Sequence, residues 1–350
     1  MKFRIGKVEI SNERTTVIAE AGVNHLGRDD YAKKLVDAAV NAGVDIIKFQ
    51  TYTAEKLTTR NAPRFWNWEG ELVQEGNQFD SYSNLDKFSR SQYIELVKYC
   101  KEKDIEFMST PFDTDSVDLL MELGVNAFKV ASCDITNQPL LRYISQTQKP
   151  ILLSTGAAEI SEIKRAIELI TANNVNEICL MHCTLCYPTN ISDANLGALV
   201  HLKEEFPDLI LGLSDHTLES ETPSYAVMLG ARVIEKHFTF DKTLPLSADH
   251  WLSVDEEGMR ALIEKVRLAE SLLGTQKKIV LDSELLARRN ARRSIVAKRN
   301  LEPGETIYES DLDFKRPGTG ISPFDLDKLI GKIVKKAIPY DSQITWDDFI

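Results

Sequence analysis

Short apolar runs that end in polar residues recur along most of the chain, and each is followed by a stretch with helical periodicity. The runs are VIAEAG (17–22), DIIKFQ (45–50), EFMSTPF (106–112), AFKVAS (127–132), ILLSTG (151–156), EICLMHC (177–183), LILGLSDH (209–216) and VIEKHFT (233–239). Runs of this length read as buried strands, and eight of them alternating with helices are what an α/β fold of the (β/α)8 TIM-barrel type requires. The helices are visible in the spacing. DDYAKKLVDAAVNAG places apolar residues at helical intervals and stops at Gly43, and AEISEIKRAIELITANN sets an apolar stripe against charges.

Two parts of the chain break this rhythm. The connection between the second and third runs is long, and its stretch 61–86 mixes aromatic with polar residues. Such a loop at the C-terminal face of a barrel forms a lid or substrate wall, or else an aromatic cluster that anchors the loop. After the helical stretch DEEGMRALIEKVRLAESLLG the composition turns charged, so the barrel is assigned to 1–280, a linker with some helix to 281–293, and a small β-rich module to 294–350. In that module the runs SIVAK, TIYE, LDFKR and KIVKKAI are separated by Pro303-Gly304, Pro317-Gly318 and Pro339. A module this small is marginal alone and is expected to dock on a barrel.

Read with period two, the seventh run puts Leu209, Leu211 and Leu213 on a helix-facing side and Ile210, Gly212, Ser214 and His216 on the other. Barrel enzymes place their chemistry at the C-terminal ends of the strands. Polar groups gather there: Lys48 and Gln50, Thr110, Lys129 and Ser132, Ser154, His182 with Thr184, Ser214 and His216, then Glu235 and His237. A lysine inside an apolar strand needs a compensating partner. Lys48 and Lys129 therefore form either a receptor for phosphate or carboxylate, or structural ion pairs with acids such as Glu20 and Asp134. His216 and His237 sit at adjacent strand tips. They read as an open two-histidine metal site, an acid–base pair, or a hydrogen-bonded core pair.

Composition narrows the surroundings of this chemistry. A net charge of −11 argues against nucleic acid or an anionic membrane as partner. No apolar run is long enough to span a bilayer and the N-terminus has no signal-peptide core, so a cytoplasmic protein is expected. The five cysteines (Cys100, Cys133, Cys179, Cys183 and Cys186) form an odd, irregular set, which suits a reducing compartment. Cys183-x-x-Cys186 has no second pair for zinc and reads as packing at a strand end. Neither glycine-rich nucleotide motif occurs.

The strings IAEAGVNHLG, KFQTY, STPFD, KVASCDITNQPLL, ILLSTGA, HCTLCYP, GLSDHT, GARVIEKHFT, ADHWLS and KRPGTGIS follow one another through nearly the whole chain. In that order they resemble the sialic acid synthases and their legionaminic and pseudaminic acid relatives. The resemblance implies a TIM barrel followed by an antifreeze-like (SAF) domain, in a homodimer whose subunits exchange tails so that each tail covers the other subunit's site. It implies a transferase that condenses phosphoenolpyruvate with an open-chain N-acylated amino sugar, giving a nine-carbon 2-keto acid and phosphate with the help of manganese or magnesium. On that pattern His216 and His237 would hold the metal. Lys48, Thr110, Lys129, Ser132, Ser154 and Ser214 would bind phosphoenolpyruvate, and Gln50, Tyr187 and Asp249 the sugar. Arg316 would reach the acyl group from the partner's tail, and Glu20 and Asp134 would steady the cationic centre and deprotonate water.

Two positions depart from the pattern. Asp134 stands in Ser132-Cys133-Asp134 where many relatives carry Glu. Thr184-Leu185-Cys186 has apolar Leu and Cys where relatives often present polar groups to the sugar, which favours a 2,4-diacetamido-6-deoxyhexose over N-acetylmannosamine. A Schiff-base aldolase acting through Lys129 or Lys236 is the alternative from another enzyme class, and a non-catalytic carbohydrate-binding role is a third.

Overall fold

The computed structural model describes residues 2–66, 76–244, 249–275 and 277–350. Eight parallel strands form one sheet: β1 (Thr16–Gly22), β2 (Ile46–Thr51), β3 (Glu106–Pro111), β4 (Phe128–Val130), β5 (Ile151–Ser154), β6 (Ile178–Cys183), β7 (Ile210–Asp215) and β8 (Val233–His237). Hydrogen-bonded neighbours run in the order β3-β2-β1-β8-β7-β6-β5-β4, and the two ends of that row, β3 and β4, also lie side by side. The sheet therefore curls into a nearly closed barrel with helices between successive strands, as the eight apolar runs predict.

The period-two pattern decides what each strand shows to either side. Val17, Ile47, Phe49, Phe107, Phe128, Val130, Leu153, Leu180, Leu211, Leu213 and Ile234 join the helices in one large apolar cluster. Their alternates Ile18, Ile46, Met108, Ala127, Leu152, Cys179, Met181, Ile210 and Val233 point inward and fill the lower barrel. An antiparallel hairpin, Phe3–Ile5 with Val8–Ile10, precedes β1, and its Phe3, Ile5 and Ile10 belong to the same inner cluster. The hairpin thus stoppers the N-terminal end of the barrel. Each fully buried isoleucine there contributes about 1.5–3 kcal/mol.

Helix ends follow the sequence. The helix Asp29–Ala42 stops at Gly43, whose φ of 82° is left-handed and returns the chain towards β2. Asn137 caps the helix Gln138–Gln146 by accepting from the Leu140 amide, and its own amide donates to Asp134 at 2.9 Å, so one cap also orients a candidate site carboxylate. No helix among the described residues is long and apolar enough to cross a membrane.

The chain divides into two compact units, Met1–Gly274 and Thr275–Ile350. In the second, Ser294–Ala297 pairs antiparallel with Leu312–Lys315 over a core that includes Ile295, Leu301, Ile307, Leu329, Val334 and Ile344. The other two runs expected as strands form only single bridges, Thr306 with Ile333, Leu301 with Ile338 and Val334 with Phe349. Pro303-Gly304 and Pro339 interrupt the backbone before a ladder can extend. The segment 281–293 holds a short helix, Leu285–Ala291, with no buried residue.

Candidate active site

Above the apolar filling, the inward positions of the strands become polar. Parallel register sets Glu20 beside Lys48 across β1 and β2, Gln50 beside Thr110 across β2 and β3, and Ser214 beside Glu235 across β7 and β8. Gly22 ends β1 with a φ of 53°, and a Cβ there would meet the Gln50 amide at 3.3 Å. A cavity of about 930 Å³ opens above this layer. The barrel residues given a ligand or catalytic role line it: Glu20, Lys48, Gln50, Thr110, Lys129, Ser132, Asp134, Ser154, Tyr187, Ser214, His216, His237 and Asp249. Arg316 belongs to the second unit, where it follows the strand Leu312–Lys315 and is exposed.

The floor is a buried charge network. Lys48 Nζ lies 2.5 Å from Glu20 Oε2 and 3.7 Å from Glu235 Oε2, and donates to Thr110 Oγ1 at 3.1 Å. Lys129 Nζ lies 3.4 Å from Glu235 Oε1, which also accepts from Ser214 Oγ at 2.9 Å. Gln50 donates to Glu20 Oε1 at 2.8 Å. Burial pushes the Glu20 carboxyl up, and its neighbour Glu235 adds to that. Burial would do the same to Glu235, but Lys129 and Lys48 outweigh it and hold that carboxyl at about 2. Two carboxyls on one lysine are thereby driven apart, one firmly ionised and the other readier to take a proton.

This corrects part of the sequence reading. Glu20 does pair with Lys48, but the partner of Lys129 is Glu235, while Asp134 accepts from Asn137 instead. Glu235 was visible only as one more polar residue at the tip of β8; its alternation with His237 is the signal that puts it inside the barrel. His182 was grouped with the site, yet it alternates with Cys183 and hydrogen-bonds the Ala194 carbonyl at 2.8 Å, on the helix-facing side. Lys236 also faces outward. It pairs with Asp215 at 2.6 Å, contacts the Thr217 carbonyl, and does not line the cavity. All five cysteines are free, and Cys133, Cys183 and Cys186 line the cavity.

His216 and His237 meet over this floor with ring centroids 5.4 Å apart, and Tyr187 stacks on His216 at 4.0 Å. His216 Nδ1 lies 2.9 Å from the Thr184 carbonyl, which can only accept, so Nδ1 carries a proton; burial opposes a charged ring there, but Cys183 and the Thr184 carbonyl outweigh it and push His216 above the usual imidazole value. His237 Nδ1 is buried without a hydrogen bond among the described residues, and the nearest carboxylate, Asp249, stands 3.9 Å away. Burial, with His216 and Lys48 nearby, keeps the His237 ring well below the usual imidazole value, hence neutral. Two imidazoles at adjacent strand tips, one of them held neutral with an orphaned nitrogen, suit a divalent cation that takes its remaining ligands from water or substrate. Among the described residues no group of three or more His, Cys, Asp or Glu side chains converges as a closed metal cage.

The wall of the cavity comes from the long connection after β2. Phe65, Trp66, Tyr82 and Leu85 line it, Trp66 packs on Tyr82 and Tyr82 on Tyr52, each with centroids 5.7 Å apart. The aromatics are thus both wall and anchor; residues 67–75 of the stretch lie outside the described residues. Leu185 and Cys186 line the opposite part of the rim.

The NeuB family model matches residues 35–278, and the SAF domain model residues 292–350. The chain is 38% identical to the N,N'-diacetyllegionaminic acid synthase of Legionella pneumophila, over 95% of this chain and 93% of that protein. It is 33% identical to the pseudaminic acid synthase of Campylobacter jejuni, over 97% of this chain and 98% of the relative. Among solved structures, the N-acetylneuraminic acid synthetase of Leptospira borgpetersenii superposes with a TM-score of 0.73 at 33% identity, covering 82% of this chain and 95% of that one.

Proposed function

Since the chain belongs to the NeuB family and carries a SAF domain, we propose that it condenses phosphoenolpyruvate with an N-acylated mannosamine-type sugar, releasing phosphate and a sialic acid-like 2-keto acid. The observation that carries this reading is the buried pair Lys48 and Lys129 and the two imidazoles of His216 and His237 in one cavity. Two ammonium groups and the hydroxyls of Thr110, Ser132, Ser154 and Ser214 form a receptor for a phosphate and a carboxylate. Ser154 Oγ is buried without a hydrogen bond among the described residues, as a donor awaiting a ligand oxygen would be.

Gln50, Tyr187 and Asp249, nearer the mouth, meet the sugar hydroxyls in this reading. Manganese or magnesium on His216 and His237 would supply Lewis-acid polarisation of the sugar aldehyde. The residues of the chain do the rest. Lys48 and Lys129 bear the charge of the departing phosphate, and the enclosing aromatics keep bulk water from the reacting centre. Glu20 is placed to take up a proton, and Asp134, raised above its usual value by burial, to deprotonate the water that captures the cationic centre.

Leu185 and Cys186 on the rim favour the second reading, a 2,4-diacetamido-6-deoxy sugar as substrate. A buried methyl in place of a hydroxyl is worth a preference of about ten-fold or more. The test is phosphate release from phosphoenolpyruvate with manganese, comparing N-acetylmannosamine with 2,4-diacetamido-2,4,6-trideoxymannose. Release should occur, stop on chelation and return with added metal, and be faster with the 6-deoxy sugar. No release with either sugar rejects the reaction; preference for N-acetylmannosamine rejects the apolar-wall argument.

The homodimer with exchanged tails is supported by the segment 277–293, exposed throughout and carrying Ile279, Val280, Leu281, Leu285 and Leu286. Apolar side chains in such a row call for a covering surface. If Arg316 acts on the partner's site, mixing Arg316→Ala with His237→Ala subunits should restore up to about a quarter of wild-type sites by random pairing. Absence of any recovery at every mixing ratio would assign Arg316 to its own subunit's site or to none.

A further inference from the structure

Glu235 touches both lysines of the floor and has no place in the reaction as derived so far. One oxygen, Oε1, accepts from Ser214 at 2.9 Å and lies 3.4 Å from Lys129 Nζ. The other, Oε2, is 3.7 Å from Lys48 Nζ, too far for a hydrogen bond, and is buried without one among the described residues. A structural ion pair closes on its partners. This carboxylate instead stands between two cations at distances that neutralise them without consuming their hydrogen-bonding capacity. Lys48 gives its close contact to Glu20, and Lys129 has no contact to a carboxylate shorter than 3.4 Å among the described residues.

We propose that Glu235 is a positioning residue, an internal counter-anion that stands between Lys48 and Lys129, holds them towards the cavity and then weakens their hold on the phosphate. The inference rests on the reading that these lysines receive the phosphate and carboxylate of phosphoenolpyruvate. Its physical content is a balance of charges. Without Glu235, Lys129 would have no carboxylate partner among the described residues and Lys48 only Glu20, which would destabilise the ligand-free protein and bind a phosphate so firmly that product leaves slowly. With Glu235 present, the cations are offset in advance, and the arriving phosphate must compete with a charge that does not move away.

The experiment is Glu235→Gln, with Glu235→Asp as the variant that keeps the charge. Binding of inorganic phosphate is measured by calorimetry, and thermal unfolding with and without phosphate. Glu235→Gln should bind phosphate about ten-fold more tightly than the parent, because a repelling carboxylate has gone. It should melt lower than the parent without phosphate and recover in its presence, and turnover should show a lower KM for phosphoenolpyruvate together with a lower kcat. Glu235→Asp should stay near the parent in phosphate affinity.

A Glu235→Gln protein that folds but binds phosphate no more tightly overturns the inference, as does a loss of thermal stability that phosphate does not restore. If Glu235→Gln fails to fold, tighter phosphate binding by Glu235→Asp than by the parent overturns it equally. The two readings fail separately. A parent that turns over phosphoenolpyruvate while Glu235→Gln gains no affinity rejects only the counter-anion role; tightening on phosphate in a protein that turns over neither sugar supports that role and rejects the reaction.

Discussion

Lys129→Met is expected to lose phosphate-releasing activity by about 10²–10³-fold, the effect of removing one preorganised charge from a developing anion. It should also destabilise the barrel unit, by about 3–5 kcal/mol, because Glu235 then stays buried with its nearest cation 3.7 Å away. The two losses have different causes and can be separated. In the double variant Lys129→Met with Glu235→Gln the unpaired carboxylate is gone, so most of the stability should return while activity stays lost. Urea unfolding of the four proteins of that cycle, with kinetics on each, makes the comparison. Activity returning along with stability would mean that Lys129 is scaffold, and that the phosphate is held elsewhere.

The second large effect is expected from a lysine on β8, the strand of Glu235, but on its other face. Lys236 is buried, bonded to Asp215 at 2.6 Å and to the Thr217 carbonyl, while Asp215 also accepts from the Thr217 amide at 3.0 Å and its hydroxyl at 3.1 Å. These bonds tie β8 to the turn that carries His216. Lys236→Met leaves Asp215 buried without its cation and should cost about 3–5 kcal/mol. His216 would lose its fixed backbone, and manganese affinity should fall about ten-fold, as when a supporting partner of a ligand is removed. Denaturant unfolding and manganese titration check the two halves. A variant as stable as the parent, binding manganese equally, would show the network to be dispensable.

Lys236 also illustrates how far the sequence was legible. Alternation along VIEKHFT already separates Glu235 and His237 from Lys236, and the same rule applied to LILGLSDH correctly put Ser214 and His216 inside. The eight strands are found where the apolar runs lie, because β-branched and aliphatic clusters between helices have few other ways to be buried. His182 was misjudged because only its place at the strand tip was weighed, and its face was not. Pairing partners were harder. Glu235 approaches Lys129 across the barrel interior, between strands that are not neighbours in the sheet, and no local spacing encodes that meeting. Nor could spacing show that Asn137, a helix cap, would claim Asp134.

The hairpin that stoppers the lower barrel has a consequence for traffic. With Phe3, Ile5 and Ile10 filling the N-terminal end of the barrel, the lysines lie at the floor of the cavity, on the side away from the strand tips. A ligand held by both lysines would then lie beneath anything bound nearer the strand tips, and its exit would wait on the upper occupant. For the proposed reaction this depth predicts an order of traffic, the anion entering first and its phosphate leaving last.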